Sequence, residues 1–519
     1  MVNFVKKHKY QILLTIFVIA YIVYFSYLSV LRYKTLYASY YDLGIMHQTV
    51  YNTYKGIQNR DFSRVLEMTD VDSPDQIKRM AIHNDPLLAL LAPFYFIYDG
   101  PETLLIIQTI ILALGAIAVF KISQKVFEKE NYSSLLSFIF ALSYLLYSPL
   151  QKSNLFDFHA VTLATTFLLF MFYFWLVKRY WISFVFFGLS ILSKEQVGLT
   201  TAMFGIYSFL ITNYQLLISK RIRIIKLKSD KKITFFSLLI IGVSLIWFVT
   251  SVFFIIPYFR GSEHFAVARY SDFGNSSGSI ILGIFTQPLS TLGYIFHART
   301  FHYFIQILGS AGFLSLLAPL QFFIALPELA INILSKDNNM RNIYYHYTAV
   351  ITPFVFISAI YGAKKVIGYW LLVIGKGPKQ ANKKVYFLLC GYLLILTAAF
   401  AYWYGPLPFT KGQNIHPFKY PQIETKDTEL WARTLRSEKF KISTVGHLAP
   451  FFSGRRYFYN FSAEYQTADY IILRLNEVYT YPEKDELIPA YEKLKQDPRY
   501  ELIYGKKNFE VYKRKLDTL

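Results

Sequence analysis

The sequence predicts an α-helical polytopic membrane protein with a small α/β domain at its carboxyl end. Of its 519 residues, 54% are hydrophobic and 19% aromatic. The apolar residues come in long uncharged runs, which one soluble core does not need. These runs stop near Gly405, where charged residues become frequent. The predicted boundaries are therefore 1–404 for the membrane domain and 405–519 for the soluble domain.

The net charge of +21 indicates membrane topology and not nucleic-acid binding. Lys and Arg cluster in short segments between apolar runs and form no single patch with aromatic residues. The only cysteine, Cys390, lies within an apolar run, which excludes an internal disulfide and a cysteine-based metal site. Basic residues also precede the first span without a cleavage site, so this segment is predicted to be a retained anchor.

About eleven spans are predicted, in the cell (plasma) membrane. The strongly basic connections alternate along the chain, so the positive-inside rule assigns them and the amino terminus to the cytoplasm. An odd number of spans then places the domain 405–519 on the exterior. The spans are predicted at 11–31, 103–122, 133–149, 160–177, 180–193, 196–213, 233–256, 301–318, 320–334, 347–363 and 385–404.

The first exterior loop, 32–102, is predicted to contain two elements that lie along the membrane. Asp42 opens the first of them, and apolar residues then recur at helical spacing, which is typical of an amphipathic helix. These residues are Leu43, Met46, Val50 and Tyr54. The second element, PLLALLAPFYFIY, is too short to cross a bilayer. Asp42 either caps the first helix or belongs to a site at the membrane surface.

Further charged and aromatic residues are predicted at the same surface. Asp157 and His159 precede a span, and Lys194 and Glu195 stand between two apolar runs with almost no loop around them. Such a pair either faces a cavity or sits in a turn whose side chains reach the headgroups. A segment broken by Pro288 is expected to lie on the membrane. A later turn presents Arg341, Tyr345 and His346, among aromatics typical of an interface belt.

The carboxyl-terminal domain is predicted to combine two helices with four strands. The helices are TELWARTLRSEKF and PEKDELIPAYEKLKQ, and the strands are KISTVGHLA, RRYFYNF, DYIILRL and NFEVYKR. About 115 residues can bury a modest core.

No nucleotide-binding, HExxH or GxSxG motif is present. His83 with Asp85, and Asp157 with His159, offer two metal ligands each, fewer than a metal site needs. No cofactor is therefore assigned, and a divalent metal stays open.

Several ordered motifs resemble the membrane-protein family called domain of unknown function 2079. They are YDLGIMHQTVYNTYKG, HNDPLLALLAPFY, FDFHAVTLATTF, LSKEQVGL, LLAPLQFFIALPELAINILS, YYHYTAVITPF, HLAPFFSGRRYFYNF and ADYIIL. The resemblance covers nearly the whole chain. At His47 this sequence departs from the family, which usually has an acidic residue there.

That family is itself similar to the GT-C glycosyltransferases, which use lipid-phosphate-linked sugars. The resemblance implies that Asp42 is a catalytic acid near the start of the first exterior loop, that Asp157 is a second acid, and that Lys194 holds the donor phosphate. Asp42 is then the expected general base, with a pKa raised by burial, and Asp157 orients the acceptor or the base. Arg341 completes the phosphate clamp. Further expected substrate-binding residues are His83, Asp85, His159, Glu195, Tyr345 and His346.

The sequence thus predicts a GT-C-like enzyme that transfers a sugar from a polyprenyl-phosphate-linked donor to an acceptor at the exterior face. The acceptor, a glycan, lipid or protein, stays open. The alternatives are a transporter or flippase of lipid-linked or anionic substrates, and a non-catalytic membrane assembly protein whose exterior domain carries the function.

Overall fold

The computed structural model describes residues 2–222, 231–373, 383–413, 423–480 and 482–515. Lys226, Lys228, Lys376 and Lys379, which support the predicted topology, lie outside the described residues. Over residues 2–413 the described elements are mainly α-helices. They are α1 Val2–Lys34, α2 Ile45–Asn59, α3 Glu102–Val126, α4 Ser133–Leu145, α5 Ser148–Leu155, α6 Ala160–Leu176, α7 Tyr180–Ile191, α8 Val197–Ile222, α9 Lys231–Thr250, α10 Ile256–Arg260, α11 Ser277–Thr286, α12 Pro288–Ile295, α13 Ala298–Gly309, α14 Pro319–Phe322, α15 Leu326–Ile333, α16 Thr352–Val373 and α17 Lys383–Tyr404.

Fewer helices than predicted are long and apolar enough to cross a membrane. Within the described ranges there are four, or up to six if each of two bent pairs is one span. The four are His8–Lys34, Glu102–Val126, Lys231–Arg260 and Lys383–Tyr404. Several predicted spans fall on shorter apolar helices such as α6 and α7. The fold is a polytopic helical one, and the number eleven stays a prediction.

Helices α11 and α12 form one of the bent pairs. Their axes differ by 87° at a break next to Pro288. Proline lacks a backbone N–H group and clashes with the preceding turn of a helix, so it interrupts the helix where the sequence predicted a break. The pair is too sharply bent to be one straight crossing.

The first ten residues of helix α2, 45–54, are all buried, whereas its last turn is exposed. The apolar residues at helical spacing are buried as predicted, but so are Gln48 and Asn52 on the polar face. The Gln48 Nε2 donates to the backbone carbonyl of Arg456 at 3.0 Å, which belongs to the carboxyl-terminal domain. The polar face of α2 is therefore covered by protein, and the position of this helix along the bilayer stays a prediction. Local spacing does not reveal that a domain 400 residues away covers the polar face.

The second apolar stretch of this loop forms a 3-10 helix, Pro86–Phe96. Leu87, Leu88 and Leu91 are buried against α2, whereas Leu90, Phe94 and Phe96 are exposed. An antiparallel pair of short strands, β1 Glu67–Thr69 and β2 Gln76–Lys78, lies between the two helices. One side of the 3-10 helix is thus apolar and unpacked, as a membrane-surface element requires.

The carboxyl-terminal segment contains a five-stranded mixed sheet. The order is β4-β3-β5-β7-β6, with β3 parallel to β4 and β5, and β7 antiparallel to β5 and β6. The four predicted strands are confirmed, and β6 was missed. The strands are β3 Ile442–Thr444, β4 Phe458–Asn460, β5 Tyr470–Arg474, β6 Tyr500–Lys506 and β7 Phe509–Arg514, with helices α18 Ile423–Thr434, α19 Ala449–Phe452, α20 Leu475–Thr480 and α21 Lys484–Gln496.

This sheet shares its core with the first loop. Leu36, Tyr40, Ile45 and Met68 pack in the same buried cluster as the strands of the sheet. The loop and the sheet therefore lie on the same side of the membrane domain. The shared core also fixes the start of α2, where Asp42 lies.

Candidate active site

The first loop, the segment before α6 and the turn before α8 meet at a cavity of about 550 Å³. We call it the first cavity. It contains six of the sequence-predicted site residues, which come from four separate segments of the chain. They are Asp42, His83, Asp85, His159, Lys194 and His346.

Asp42 lies in a π-helical turn, Tyr40–Gly44, directly before α2. Its Oδ1 is 2.9 Å from Nε2 of His159, and its Oδ2 accepts from the hydroxyl of Ser39 at 3.0 Å. Gly44, and not Asp42, is the N-cap of α2, and the helix has no side-chain cap. The capping interpretation is therefore wrong. The side chain is 24% exposed and faces the first cavity.

The pKa of Asp42 is lowered, not raised as expected from the sequence. Burial alone would raise the pKa, but the hydrogen bonds from His159 and Ser39 and the charge of Arg32 outweigh burial and lower it. Asp42 is consequently ionised at neutral pH. It can accept a hydrogen bond or a proton there without prior deprotonation.

Asp157 lies behind Asp42 and does not line the first cavity. Its carboxylate is ion-paired with Arg32, and both side chains are buried. The second oxygen accepts from the backbone N–H of Ser39 at 3.1 Å, and the Ser39 hydroxyl donates to Asp42. Asp157 therefore acts on Asp42 through Ser39. Its backbone has φ +69°, a left-handed conformation that costs a non-glycine residue energy and that the surrounding structure must hold.

Gln108 of α3 holds the backbone around Asp157 and His159. Its Nε2 donates to the Asp157 carbonyl at 2.9 Å, and its Oε1 accepts from the His159 N–H at 3.0 Å. The side chain is fully buried. The Gln108 amide thus holds both His159, which is hydrogen-bonded to Asp42, and Asp157, which is linked to Asp42 through Ser39.

Lys194 supplies an available cation at the first cavity. It is 92% buried (8% exposed) and lines the cavity, and it has no hydrogen bond or ion pair among the described residues. A buried amine that faces a cavity without a partner favours an anionic ligand. Arg260 and Arg269 also line the cavity. Arg79 lines it too, but its guanidinium makes a bidentate ion pair with Asp85 at 2.9–3.1 Å.

Glu195 lies beside the first cavity at the centre of a hydrogen-bonded group. Its Oε1 is 2.8 Å from Nδ1 of His83 and 3.2 Å from Nε2 of His264, and its Oε2 accepts from the N–H of Asn84. The three side chains are close enough to hold a metal ion. However, Nδ1 of His264 accepts from the N–H of Ala266 at 3.0 Å. The proton of a neutral His264 is then on Nε2, which leaves that nitrogen without a lone pair for a metal. As arranged, the group fits a hydrogen-bond network better than a metal site.

Four predicted residues do not line the first cavity: Asp157 and Glu195 lie next to residues that do, whereas Arg341 and Tyr345 make other contacts. The Arg341 guanidinium bonds the Ile333 carbonyl and Oδ1 of Asn338, and it stacks on Tyr294. Tyr345 packs edge-on against Phe156. His346 does line the cavity, with its ring stacked on His159 at 3.8 Å between centroids.

Sequence reasoning gave no role to several residues of the site. Gln108 lies within a predicted span and Arg32 directly follows another, and their polarity beside apolar runs was an available signal. Arg269 and His264 lie in a long loop whose sequence does not reveal which residues face inward. Ser39 carries no signal, because its contribution depends on two loops that meet only in the fold.

The family described as "Predicted membrane protein (DUF2079)" matches residues 32–511. The chain belongs to this family. A search of curated proteins found no match. The DUF2079 match runs from the end of α1 through most of the carboxyl-terminal sheet, in agreement with the resemblance noted in the sequence.

Solved structures of membrane glycosyltransferases are similar to this DUF2079 chain. ArnT from Cupriavidus metallidurans bound to undecaprenyl phosphate has a TM-score of 0.52 at 11% identity, over 96% of this chain and 97% of ArnT. The oligosaccharyltransferase AglB from Archaeoglobus fulgidus, in complex with an inhibitory peptide and a dolichol-phosphate, has a TM-score of 0.47 at 13% identity, over 99% of this chain and 75% of AglB. The similarity to ArnT confirms the GT-C-like fold.

Proposed function

We propose that the protein is an integral membrane glycosyltransferase of the GT-C type. It takes a polyprenyl-phosphate-linked sugar from the bilayer and transfers the sugar to an acceptor hydroxyl at the exterior face. The observation that carries this proposal is the first cavity, which combines an ionised carboxylate, Asp42, with an unpartnered buried amine, Lys194. Asp42 can take up the proton that the acceptor loses, and Lys194 can stabilise the negative charge that the phosphate gains.

In the proposed step the acceptor oxygen forms a bond to the anomeric carbon, and the bond from that carbon to the phosphate oxygen breaks. The lipid phosphate leaves with the electron pair. Lys194, together with Arg269, stabilises its charge. The acceptor proton passes to Asp42, which is within reach of the cavity and ionised at neutral pH.

Asp157 and His159 act by holding Asp42. His159 donates to one oxygen of Asp42, and Asp157 fixes Ser39, which donates to the other. A carboxylate with both oxygens engaged has a defined orientation toward the acceptor. Arg269 replaces Arg341 in the phosphate clamp, because Arg341 does not line the first cavity. Glu195 supports His83 at the wall of the cavity.

The lipid-phosphate part of the proposal is supported by two features. ArnT, whose fold is similar, is bound to undecaprenyl phosphate in its structure. In addition, apolar side chains of the 3-10 helix and of the α11–α12 pair are exposed, as elements in contact with lipid require. The sugar and the acceptor are not determined by these features.

The experiment is a transfer assay on the purified protein in lipid nanodiscs with a panel of polyprenyl-phosphate sugars. Release of polyprenyl phosphate from one donor, dependent on an added acceptor, is expected. Binding of a donor without any transfer or hydrolysis, across acceptors that include glycans, lipids and peptides, would favour a carrier and contradict the enzyme.

A further inference from the structure

A second cavity lies on a different face of α2. It has a volume of about 610 Å³ and is bounded by the end of α1, the segment 98–102 and the carboxyl-terminal domain. Ile45 and Met46 of α2 line the first cavity, whereas His47, Tyr51 and Lys55 line the second. None of the residues that line the second cavity lines the first. The proposed transfer reaction leaves this cavity without a role.

Two buried polar groups, one helical turn apart, face the second cavity without partners. His47 is 3% exposed and Tyr51 is 7% exposed. Nδ1 of His47 bonds the Tyr95 hydroxyl at 2.8 Å, but its Nε2 has no hydrogen bond among the described residues. The Tyr51 hydroxyl likewise has no hydrogen bond to any residue that the structure describes. Both polar atoms are accessible from the cavity, so they are free to form hydrogen bonds with a ligand there.

The backbone at Gly454 approaches the His47 ring closely. A Cβ atom at this position would stand 2.9 Å from Nε2 of His47 and 3.7 Å from the Tyr51 ring. The backbone around Gly454 is held by Arg455, whose guanidinium donates to the carbonyls of Phe452, Phe440 and Leu435. The close approach of this backbone therefore fixes the position of the His47 ring at the wall of the cavity.

The charges around the second cavity are nearly balanced. Five cationic residues line it, namely Lys34, Lys55, Arg433, Arg436 and Arg455, and four acidic residues, namely Asp99, Glu102, Glu429 and Glu438. Burial lowers the pKa of His47 to about 3, so this residue adds no charge at neutral pH. Aromatic rings of Tyr33, Tyr98 and Phe451 supply apolar surface. Mixed donors, acceptors and rings without a dominant charge suit a neutral ligand whose many hydroxyl groups both donate and accept.

We propose that the second cavity binds a neutral saccharide, with His47 and Tyr51 as hydrogen-bonding residues and the rings of Tyr33, Tyr98 and Phe451 as its apolar surface. The site takes a polyhydroxylated ring of the size of one or two sugar units. This assignment does not depend on the proposed transfer reaction, because the two cavities share no lining residue.

The test is saturation-transfer difference NMR on the full chain in nanodiscs. The probes are the neutral oligosaccharides maltotetraose, cellotetraose, chitotetraose and mannotetraose at millimolar concentration. At least one is expected to bind the wild-type protein. Tyr51→Phe removes a single oxygen and is expected to weaken that binding by about 3- to 10-fold. Gly454→Ala is expected to abolish it, because the added methyl group would stand too close to Nε2 of His47 and displace the imidazole.

Two matched controls separate this site from the rest of the molecule. Gly293→Ala adds the same methyl group where no atom lies within 4 Å, and binding is expected to stay unchanged. Asp42→Asn changes the first cavity and is expected to leave saccharide binding intact even where it abolishes transfer. If Gly454→Ala lowers the thermal unfolding midpoint, the decision rests on Tyr51→Phe and His47→Leu.

The proposal is overturned if no probe binds the wild-type protein. It is also overturned if a probe binds but Gly454→Ala, Tyr51→Phe and His47→Leu all leave its affinity unchanged. A further outcome would indicate an anion site and would also overturn the proposal. In this outcome inorganic phosphate displaces the bound probe, and none of these variants loses binding.

Discussion

Nε2 of His159 lies 2.9 Å from Oδ1 of Asp42, and this contact joins two loops that are separated by 117 residues in the chain. It makes His159 a positioning residue for the carboxylate. It also contributes to the lowered pKa of Asp42, against the raising effect of burial. The contact has consequences that can be measured.

Replacement of His159 should raise the pKa of Asp42. In the wild-type protein burial raises this pKa, and the His159 hydrogen bond and charge are the main factors that lower it. In His159→Ala the carboxylate is therefore protonated at a higher pH, and the acidic limb of the kcat/KM profile should move to higher pH. His346→Ala is the control, because His346 stacks on His159 but has no hydrogen bond to Asp42. An acidic limb at the wild-type position in His159→Ala would contradict the positioning role.

The buried pair of Arg32 and Asp157 should show strong coupling. Arg32→Leu leaves the Asp157 carboxylate buried without its partner, which is expected to cost about 3–5 kcal/mol of unfolding free energy. The double variant Arg32→Leu with Asp157→Leu should lose less than Arg32→Leu alone. The unfolding free energies of the wild-type protein, the two single variants and the double variant, measured in mixed micelles, form a double-mutant cycle. Additive losses in that cycle would show that the two side chains do not act as a pair.

Replacement of Lys194 should weaken binding of the lipid phosphate. Because this amine has no other partner in the described chain, Lys194→Met should reduce the affinity for polyprenyl phosphate by about 10- to 100-fold. Lys194→Arg should keep part of this affinity, because arginine keeps the positive charge but places it in a different geometry. Arg436→Ala, an exposed cation at the second cavity, serves as the control. Equal affinity in Lys194→Met and wild type would remove Lys194 from the site.

The Glu195 group should make stability depend on pH. Burial raises the pKa of Glu195, but the contacts with His83 and His264 outweigh it, so the pKa lies well below the ordinary 4.5. The stabilisation is complete above the ordinary pKa and is lost as the pH falls through the lowered folded-state value. Glu195→Gln should therefore flatten the acid side of a plot of unfolding midpoint against pH. A chelator should not change the midpoint, and a chelator-sensitive wild-type protein would indicate that a metal holds the group.

Much of the fold was predictable because it depends on local pattern. Long apolar runs predicted the helical membrane domain, and period-two patterns predicted β3, β4, β5 and β7. Strand β6 was missed, because its sequence YELIYGK begins directly after a helical pattern and its face is mostly exposed. The burial of α2 was missed for a different reason, since its polar face is covered by residues near Arg456.

The candidate site was predictable where a residue carries an unusual charge. Asp42 and Lys194 stood out because charges next to apolar runs are costly without a purpose. The sequence did not reveal that Arg341 bonds a carbonyl away from the first cavity or that Asp42 has a lowered pKa. Both facts depend on which loops meet, and that is determined by the packing of the sheet on the first loop.

Asp42→Asn tests the central claim most directly. Asparagine keeps the size of the side chain, and it can accept from His159 through its oxygen while its NH2 group donates to the Ser39 hydroxyl, but it cannot take up the acceptor proton. Transfer from the polyprenyl-phosphate sugar is therefore expected to fall by about 10²–10⁴-fold. Donor affinity and the thermal unfolding midpoint should stay close to those of the wild-type protein. Near-normal transfer by Asp42→Asn would contradict the assignment of Asp42 as the base.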